Sequence, residues 1–121
     1  MARCAIAIET SGRVGSVAAA IEGRVLREVE FPHGLQHAAG IVSMIDDLVR
    51  GVGARPADVD EVYVSHGPGS FTGLRIGITV AKTIGFATGA RLLAVPTARV
   101  LVENAPAEAK NVIIVLDAKR G

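Results

Sequence analysis

The stretch His66-Gly-Pro-Gly-Ser-Phe-Thr-Gly-Leu-Arg-Ile-Gly77 joins a glycine- and proline-rich turn to a predicted helix with almost no polar face. From Gly73 onward a small residue recurs at every fourth position, and residues four apart lie on one side of a helix. The members of this ridge are Gly73, Gly77, Ala81, Gly85 and Gly89. An interior glycine costs about 0.5 to 1 kcal/mol relative to alanine. The ridge therefore indicates that another backbone packs closely against this helix.

The remaining surface of the same helix is also apolar, interrupted mainly by Arg75, Lys82 and several threonines. One apolar face can pack on the chain's own sheet. We expect a second apolar face to be covered by another helix, in this chain or in a partner.

Apolar periodicity along the 121 residues predicts one domain of alternating strands and helices. The predicted strands cover residues 3–9, 14–21, 24–31, 62–65, 91–95 and 111–116. The predicted helices cover residues 37–50, 72–88 and 96–103, and a short lead-in covers 57–61. The first three strands form an antiparallel meander with Glu22-Gly23 as a two-residue turn. The order β-β-β-α-β-α-β-α-β predicts a mixed sheet with helices packed on it.

Composition excludes several classes of function. The chain is 50% hydrophobic, and its 13 basic and 12 acidic residues give a net charge of +1. No basic cluster or aromatic platform is present in the sequence, so tight direct RNA binding is not expected. The lone Cys4 excludes a disulfide framework. We expect no signal peptide, because Arg3 and Glu9 bracket only a short apolar stretch. The longest apolar segment carries Arg75 and Lys82, so we also expect a cytoplasmic protein without a membrane span.

The glycine turn allows three interpretations. Backbone amides at a helix start attract anions, but the lysine of the GxxxxGK[ST] phosphate loop is absent. Alternatively, Ser70 or Thr72 is a helix N-cap that accepts a hydrogen bond from an unpaired amide. A nucleophilic Ser70, with His66 and Asp117, is the least favoured interpretation. A nucleophile elbow needs glycines two residues before and two residues after the serine, where this chain has Pro68 and Thr72.

Two further clusters carry potential ligands. Glu9, Thr10 and Ser11 follow the first strand, where a carboxylate and two hydroxyls can position a metal-bound phosphate or water, or form an ordinary turn. His33 and His37 are four residues apart, but Pro32 and Gly34 interrupt that segment. We therefore interpret both histidines as surface or helix-start residues and predict no metal site.

Four motifs together resemble the TsaB (YeaZ) family of accessory proteins for threonylcarbamoyladenosine in tRNA. They are Ile8-Glu-Thr-Ser11, His37 with its following helix, Gly67-Pro-Gly-Ser-Phe-Thr-Gly-Leu-Arg-Ile-Gly77 and Asp117-Ala-Lys-Arg120. The resemblance covers the whole chain in order. It implies an α/β fold of the actin/Hsp70/sugar-kinase (ribonuclease-H-like) type, with an antiparallel meander in a mixed sheet.

The related TsaD family also resembles this chain in two of those motifs, and Glu9 is closer to TsaD than to TsaB, where aspartate is usual. TsaD proteins, however, carry a metal-binding His-x-x-x-His where this chain has Thr97 and Leu101. Neither side chain ligates a metal as histidine does. The resemblance therefore implies a non-catalytic subunit.

By this resemblance, the chain supports a TsaD-like enzyme that transfers a threonylcarbamoyl group to adenosine 37 of ANN-decoding tRNAs, together with a TsaE-like ATPase. It contacts tRNA only indirectly and forms homodimers without its partner. Docking uses paired helices, and the expected interface residues are His37, Ile41, Met44, Ile45, Leu48, Phe71, Gly73, Leu74, Arg75, Gly77, Ala81, Lys82 and Gly85.

The resemblance also places seven residues near a nucleotide or phosphate: Glu9, Thr10, Ser11, Gly67, Gly69, Ser70 and Asp117. ATP or ADP and Mg²⁺ are expected only in the assembled complex, with no cofactor bound by this chain.

Because TsaB proteins continue after the motif at 117–119 with a second domain, residues 1–121 are expected to be a truncated N-terminal domain. The alternatives are an autonomous nucleotide-binding ATPase or kinase-like protein and, less favoured, a glycoprotease-like peptidase.

Overall fold

A computed structural model describes residues 3–32 and 38–115 of the chain. Its strands are β1 (Cys4–Glu9), β2 (Val14–Ile21), β3 (Arg24–Pro32), β4 (Val59–Ser65) and β5 (Arg91–Val95). Its helices are α1 (Ala38–Gly51), α2 (Phe71–Thr88) and α3 (Thr97–Val102), with a 3₁₀ turn at Pro56–Asp58. These elements confirm the predicted order as far as α3.

The five strands form one mixed sheet in the order β3-β2-β1-β4-β5. Strands β1, β2 and β3 pair antiparallel, whereas β4 pairs parallel with both β1 and β5. The β2–β3 turn has positive φ angles at both Glu22 (52°) and Gly23 (77°). A two-residue turn of this kind matches the twist of the strands that it joins. The predicted meander and its turn are confirmed.

Helices α1 and α2 cover one face of the sheet. Alternate residues of β1 point into that layer, and Cys4, Ile6 and Ile8 are fully buried in it. The buried positions of α1 are Ile41, Ile45, Leu48 and Val49, and those of α2 are Gly73, Gly77, Val80, Ala81 and Ile84.

Burial and the nearby carboxylates of Asp60 and Asp58 raise the pKa of the Cys4 thiol, so it stays protonated at neutral pH.

The opposite face of the sheet has a floor of small side chains. The cross-strand partners Ala5 with Ala20 and Ala7 with Ala18 form this alanine floor on β1 and β2. It lines a shallow depression of about 290 Å³, bordered by Tyr63 among others. The two faces therefore differ, since one is covered by helices and the other is open over the alanines.

Strand β4 begins three residues earlier than predicted, at Val59 instead of residue 62. The charged residues of this segment interrupt the apolar pattern that indicates a buried strand. Asp60 lies at a register shift between β1 and β4, and its Oδ2 accepts a hydrogen bond of 2.8 Å from the Cys4 amide. Glu61 is buried in the strand, and its carboxylate forms an ion pair of 3.0 Å with Arg91 of β5.

The predicted last strand over residues 111–116 does not form in the described part of the chain, which ends at residue 115. Three of its apolar side chains remain exposed instead, namely Val112 at 44%, Ile113 at 90% and Val115 at 88%. Such residues favour a strand only where a neighbouring strand supplies hydrogen bonds. The prediction of a paired strand at 111–115 is therefore wrong for this structure.

Truncating Ile45 should destabilise the chain far more than truncating Val42 on the same helix. Ile45 is buried in the core, whereas Val42 is exposed. We expect Ile45→Ala to lower the free energy of unfolding by about 2 to 5 kcal/mol. Val42→Ala should change it by no more than about 0.5 kcal/mol. Urea unfolding followed by circular dichroism measures both, and equal effects would contradict this placement of α1.

Candidate functional site

The carboxyl ends of β1 and β4 lie side by side at one edge of the sheet, because these two strands are parallel. The turn at 10–13 follows β1, and the glycine turn at 66–70 follows β4 and leads into α2. This strand-end corner brings together six of the seven residues predicted to lie near a phosphate. The seventh, Asp117, lies outside the described residues.

Thr10 connects the end of β1 to helix α2. Its side chain is fully buried, and its Oγ1 donates a hydrogen bond of 2.7 Å to the carbonyl oxygen of Gly73. A Cβ atom on Gly77 would overlap Thr10 Oγ1 and would also lie 3.6 Å from Ile8 Cγ2. The glycine ridge is therefore tightly packed at Gly77, but the groups that it meets there are the side chains of Thr10 and Ile8 of the same chain.

The glycine turn and the turn after β1 are in direct contact. The Ser70 amide donates a hydrogen bond of 2.8 Å to the carbonyl oxygen of Ser11. A Cβ atom on Gly69, whose φ is 159°, would lie 2.7 Å from Ser11 Cβ. Ser70 Oγ accepts a hydrogen bond of 3.2 Å from the Gly73 amide, which confirms Ser70 as the N-cap of α2. The amides of a phosphate loop would point at a ligand, but the Ser70 amide is bonded within the protein.

The peptidase interpretation gains no support from this geometry. The Ser70 hydroxyl caps the helix instead of contacting a base. His66 is exposed, and its backbone amide donates to the carbonyl oxygen of Val95 at 3.1 Å. The third member of that hypothesis, Asp117, is outside the described residues.

Three polar side chains at the strand-end corner each have a buried oxygen atom without a hydrogen-bond partner among the described residues. Glu9 Oε1 accepts hydrogen bonds from the Ser11 amide at 2.7 Å and from Ser11 Oγ. Glu9 Oε2, Ser65 Oγ and Thr97 Oγ1 are buried and have no hydrogen-bond partner among the described residues. These atoms can bind water or a polar ligand group. Sequence analysis missed Ser65 and Thr97 as members of this cluster, although Ser65 ends β4 and Thr97 begins α3 after β5.

The predicted interface residues fall into three groups. Six are buried inside the chain and present no surface to a partner: Ile41, Ile45, Leu48, Gly73, Gly77 and Ala81. Three are half-buried: Met44, Leu74 and Gly85. A Cβ atom on Gly85 would lie 2.8 Å from Leu92 of β5, so this residue also faces the chain itself. Phe71, Arg75 and Lys82 are exposed. His37 lies outside the described residues.

An exposed stripe runs along α2 and is formed by Phe71, Arg75, Lys82 and Phe86. Spacings of four and seven residues place these side chains on one side of the helix. Phe71 is 65% exposed and Phe86 is 98% exposed. The guanidinium carbon of Arg75 lies 5.4 Å from the centre of the Phe71 ring, which is within the range of a cation–π contact. Phe86 and the exposed Val42 of α1 are surface residues that the predicted interface did not include.

Within residues 3–32 and 38–115, no three histidine, cysteine, aspartate or glutamate residues are grouped so that they could hold a metal ion. None of the helices described there has the length and apolar content needed to cross a membrane.

Comparison with known proteins gives the family. Residues 33–121 match the family model of TsaD, described as tRNA N6-adenosine threonylcarbamoyltransferase. The chain belongs to the TsaD family. The match includes the glycine turn and α2, so the resemblance seen in that motif is confirmed at the family level.

Curated TsaB proteins are similar to nearly the whole chain. The tRNA threonylcarbamoyladenosine biosynthesis protein TsaB of Bacillus subtilis is 29% identical over 116 residues, which is 96% of this chain and 51% of that protein. The predicted resemblance to TsaB (YeaZ) is therefore confirmed. The chain spans about half the length of the curated relatives that it matches.

Solved structures confirm the fold class. YeaZ from Pseudomonas aeruginosa is similar with a TM-score of 0.72 at 32% identity, over 84% of this chain and 49% of that chain. RuvC from Thermus thermophilus is similar with a TM-score of 0.54 at 14% identity, over 87% of this chain and 74% of that chain. At that identity the second likeness shows the fold alone, which is the predicted actin-like, ribonuclease-H-like α/β fold.

Adding one methyl group at Gly77 should destabilise this TsaD-family domain. The new Cβ would overlap Thr10 Oγ1, so α2 would have to move away from β1. We expect Gly77→Ala to lower the free energy of unfolding by about 1 to 3 kcal/mol. Gly12→Ala is the matched control, because a Cβ there meets nothing within 4 Å. Chemical denaturation compares the two, and equal stabilities would contradict the tight packing of α2 on β1.

Proposed function

We propose that this chain is a non-catalytic accessory subunit in the synthesis of threonylcarbamoyladenosine in tRNA. In this role it supports a TsaD-like transferase in the cytoplasm by docking through helices α1 and α2. Membership of the TsaD family and the name of the B. subtilis relative support the pathway. The observation that carries the docking role is the exposed stripe of α2.

The stripe has the composition of a protein-binding surface. Two phenylalanines lie at its ends, while Arg75 and Lys82 lie between them. Exposed aromatic side chains that become buried are frequent hot spots of interfaces. Arg75 and Lys82 can pair with carboxylates of the partner at the rim. Val42 of α1 extends the apolar surface towards the neighbouring helix.

This proposal changes the residues assigned to the interface. The buried ridge of α2 and the apolar face of α1 fix both helices to the sheet. The partner would then contact the outer side of the helices, at Phe71, Arg75, Lys82, Phe86 and Val42. The same surface would form a homodimer in the absence of the TsaD-like partner. A TsaE-like ATPase would join the assembly, and tRNA would be contacted through the partner.

The side chains at 97 and 101 support a non-catalytic role. Thr97 is buried at the strand-end corner, and Leu101 lies one helical turn further along α3. Neither supplies the imidazole that a catalytic metal needs at the corresponding histidines of TsaD-like proteins. Transfer chemistry is therefore assigned to the partner.

Replacing Phe86 should weaken docking without affecting the fold, because its side chain is 98% exposed. We expect Phe86→Ser to weaken binding to the TsaD-like protein of the same cell by about tenfold or more. Val25→Ser on β3 is the control, since Val25 is also exposed but lies away from the helices. Light scattering coupled to size exclusion measures the mixed species. If both variants bind like the unchanged chain, the helix surface is not the docking site.

A second candidate function is an autonomous nucleotide-binding ATPase or kinase-like activity. One observation favours it, namely the buried and unpartnered Glu9 Oε2 at the strand-end corner. The contact between the glycine turn and Ser11 opposes it, because the Ser70 amide and the space beside Gly69 are already occupied by protein atoms. Thr10 Oγ1 is likewise bonded to Gly73.

Calorimetry separates the two functions. We expect no heat of binding when ATP or ADP with Mg²⁺ is titrated into the chain alone, since the Ser70 amide and the Thr10 hydroxyl are bonded within the protein. Binding that is lost in Glu9→Gln would favour the nucleotide-dependent function instead.

A further inference from the structure

Three buried oxygen atoms at the strand-end corner have no hydrogen-bond partner among the described residues, namely Glu9 Oε2, Ser65 Oγ and Thr97 Oγ1. Ser65 is 2% exposed and Thr97 is 3% exposed. Buried polar atoms of this kind usually bind an ordered water or a ligand. Because protein atoms already shield these three oxygens from solvent, a nucleotide phosphate would have to displace part of the chain to reach them. Any occupant is therefore small.

The ends of β1 and β4 bring Glu9 and Ser65 side by side. Ile8 and Val64 are partners in the parallel pairing of these strands, and Glu9 and Ser65 are the next residues along them. Neighbouring strands lie about 4.7 to 4.9 Å apart, and side chains alternate between the two faces of a sheet. Glu9 and Ser65 therefore occupy neighbouring positions on the face opposite to the buried Ile8 and Val64.

Strand β5 brings Thr97 to the same place. Val95, the last residue of β5, pairs with Ser65. The Thr97 amide then donates a hydrogen bond of 3.0 Å to the carbonyl oxygen of Gly67. This bond joins the start of α3 to the glycine turn, close to the end of β4. The ends of three neighbouring strands thus each supply one of the unpartnered oxygens.

The Glu9 carboxylate indicates the charge of the occupant. Its Oε1 accepts a hydrogen bond of 2.7 Å from the Ser11 amide, whereas its Oε2 has no partner. Within residues 3–32 and 38–115, Glu9 forms no ion pair. A buried carboxylate oxygen is stable only when hydrogen bonds or a positive charge compensate for the water that it has lost. One positive charge would balance this carboxylate.

The ligand atoms indicate the class of cation. All three are oxygens, which suit hard cations. Mg²⁺ usually keeps several waters when it binds a protein, and the shielding of these oxygens from solvent disfavours a hydrated ion. We propose that Glu9 Oε2, Ser65 Oγ and Thr97 Oγ1 bind one monovalent cation, Na⁺ or K⁺, and replace part of its hydration shell. The cation ties the ends of β1 and β4 to the start of α3, and the site does not depend on the proposed docking surface.

Thermal unfolding of the full chain in different chloride salts tests the proposal, because a ligand that binds only the folded chain raises the unfolding midpoint. All salts are compared at one ionic strength and without nucleotide, so the result is separate from any nucleotide-binding function. Tetramethylammonium is the reference, since this monovalent cation is too bulky for a shielded site. We expect KCl or NaCl to raise the midpoint by about 3 °C or more above the reference. MgCl₂ should give no such rise.

Two variants test the ligands themselves. Thr97→Val keeps the shape of the side chain and removes its hydroxyl, whereas Glu9→Gln removes the negative charge. Both should lose the difference in midpoint between KCl or NaCl and the reference salt. In the reference salt, Thr97→Val should be at least as stable as the unchanged chain, because it removes a buried hydroxyl that has no partner.

Thr88→Val is the matched control. Thr88 Oγ1 donates a hydrogen bond of 2.7 Å to the carbonyl oxygen of Ile84 near the end of α2, so its hydroxyl has a partner. This variant should lower the midpoint in every salt and keep the full difference between salts. The proposal is overturned if the unchanged chain has the same midpoint in all monovalent salts, if MgCl₂ alone raises it, or if Thr97→Val or Glu9→Gln keeps the full difference.

Discussion

The contact between Thr10 and helix α2 determines the arrangement of this domain. The Thr10 hydroxyl is bonded to the carbonyl oxygen of Gly73, and the missing side chain of Gly77 provides the space for it. Because these atoms fix the rotation of α2 about its axis, they also fix which side of the helix faces solvent. The exposed stripe with Phe86 is thus a consequence of a buried hydrogen bond on the opposite side of the same helix. A second contact, from the Ser70 amide to the carbonyl oxygen of Ser11, joins the glycine turn to the strand ends.

Much of the fold could be predicted from the sequence because its signals are local. Apolar periodicity identifies the strands and helices up to α3, and Ser70 is recognisable as a cap because it directly precedes a helical pattern. The glycine ridge shows that something packs closely on α2, but not what. Its neighbour, Thr10, is 63 residues away from Gly73 in the sequence. Spacing defines a face of a helix, whereas the identity of the neighbour depends on the topology of the sheet.

The same limit applies to the residues predicted for the interface and to the two strands whose bounds differ. The periodicity of α1 reveals one apolar face, and a helix with one such face uses it first to cover its own sheet. Ile41, Ile45 and Leu48 therefore belong to the core. Strand β4 was predicted too short because Glu61 is an acid, and its burial depends on the ion pair with Arg91 of a later strand. The segment at 111–115 shows the opposite case. Its residues have a high strand propensity, but no described strand of the sheet pairs with them.

The two faces of the sheet differ in the substitutions that they can accept, and the alanine floor lies on the less constrained face. On the helix side, a single added methyl group at Gly77 meets a neighbour, so variation there is tightly constrained. On the alanine side, Ala7 is exposed and Ala5 borders an open depression. Larger side chains can accumulate there one at a time while the helix layer stays unchanged. A descendant of this domain could thus acquire a new layer of structure, and with it a new binding specificity, on the face that residues 3–32 and 38–115 leave open.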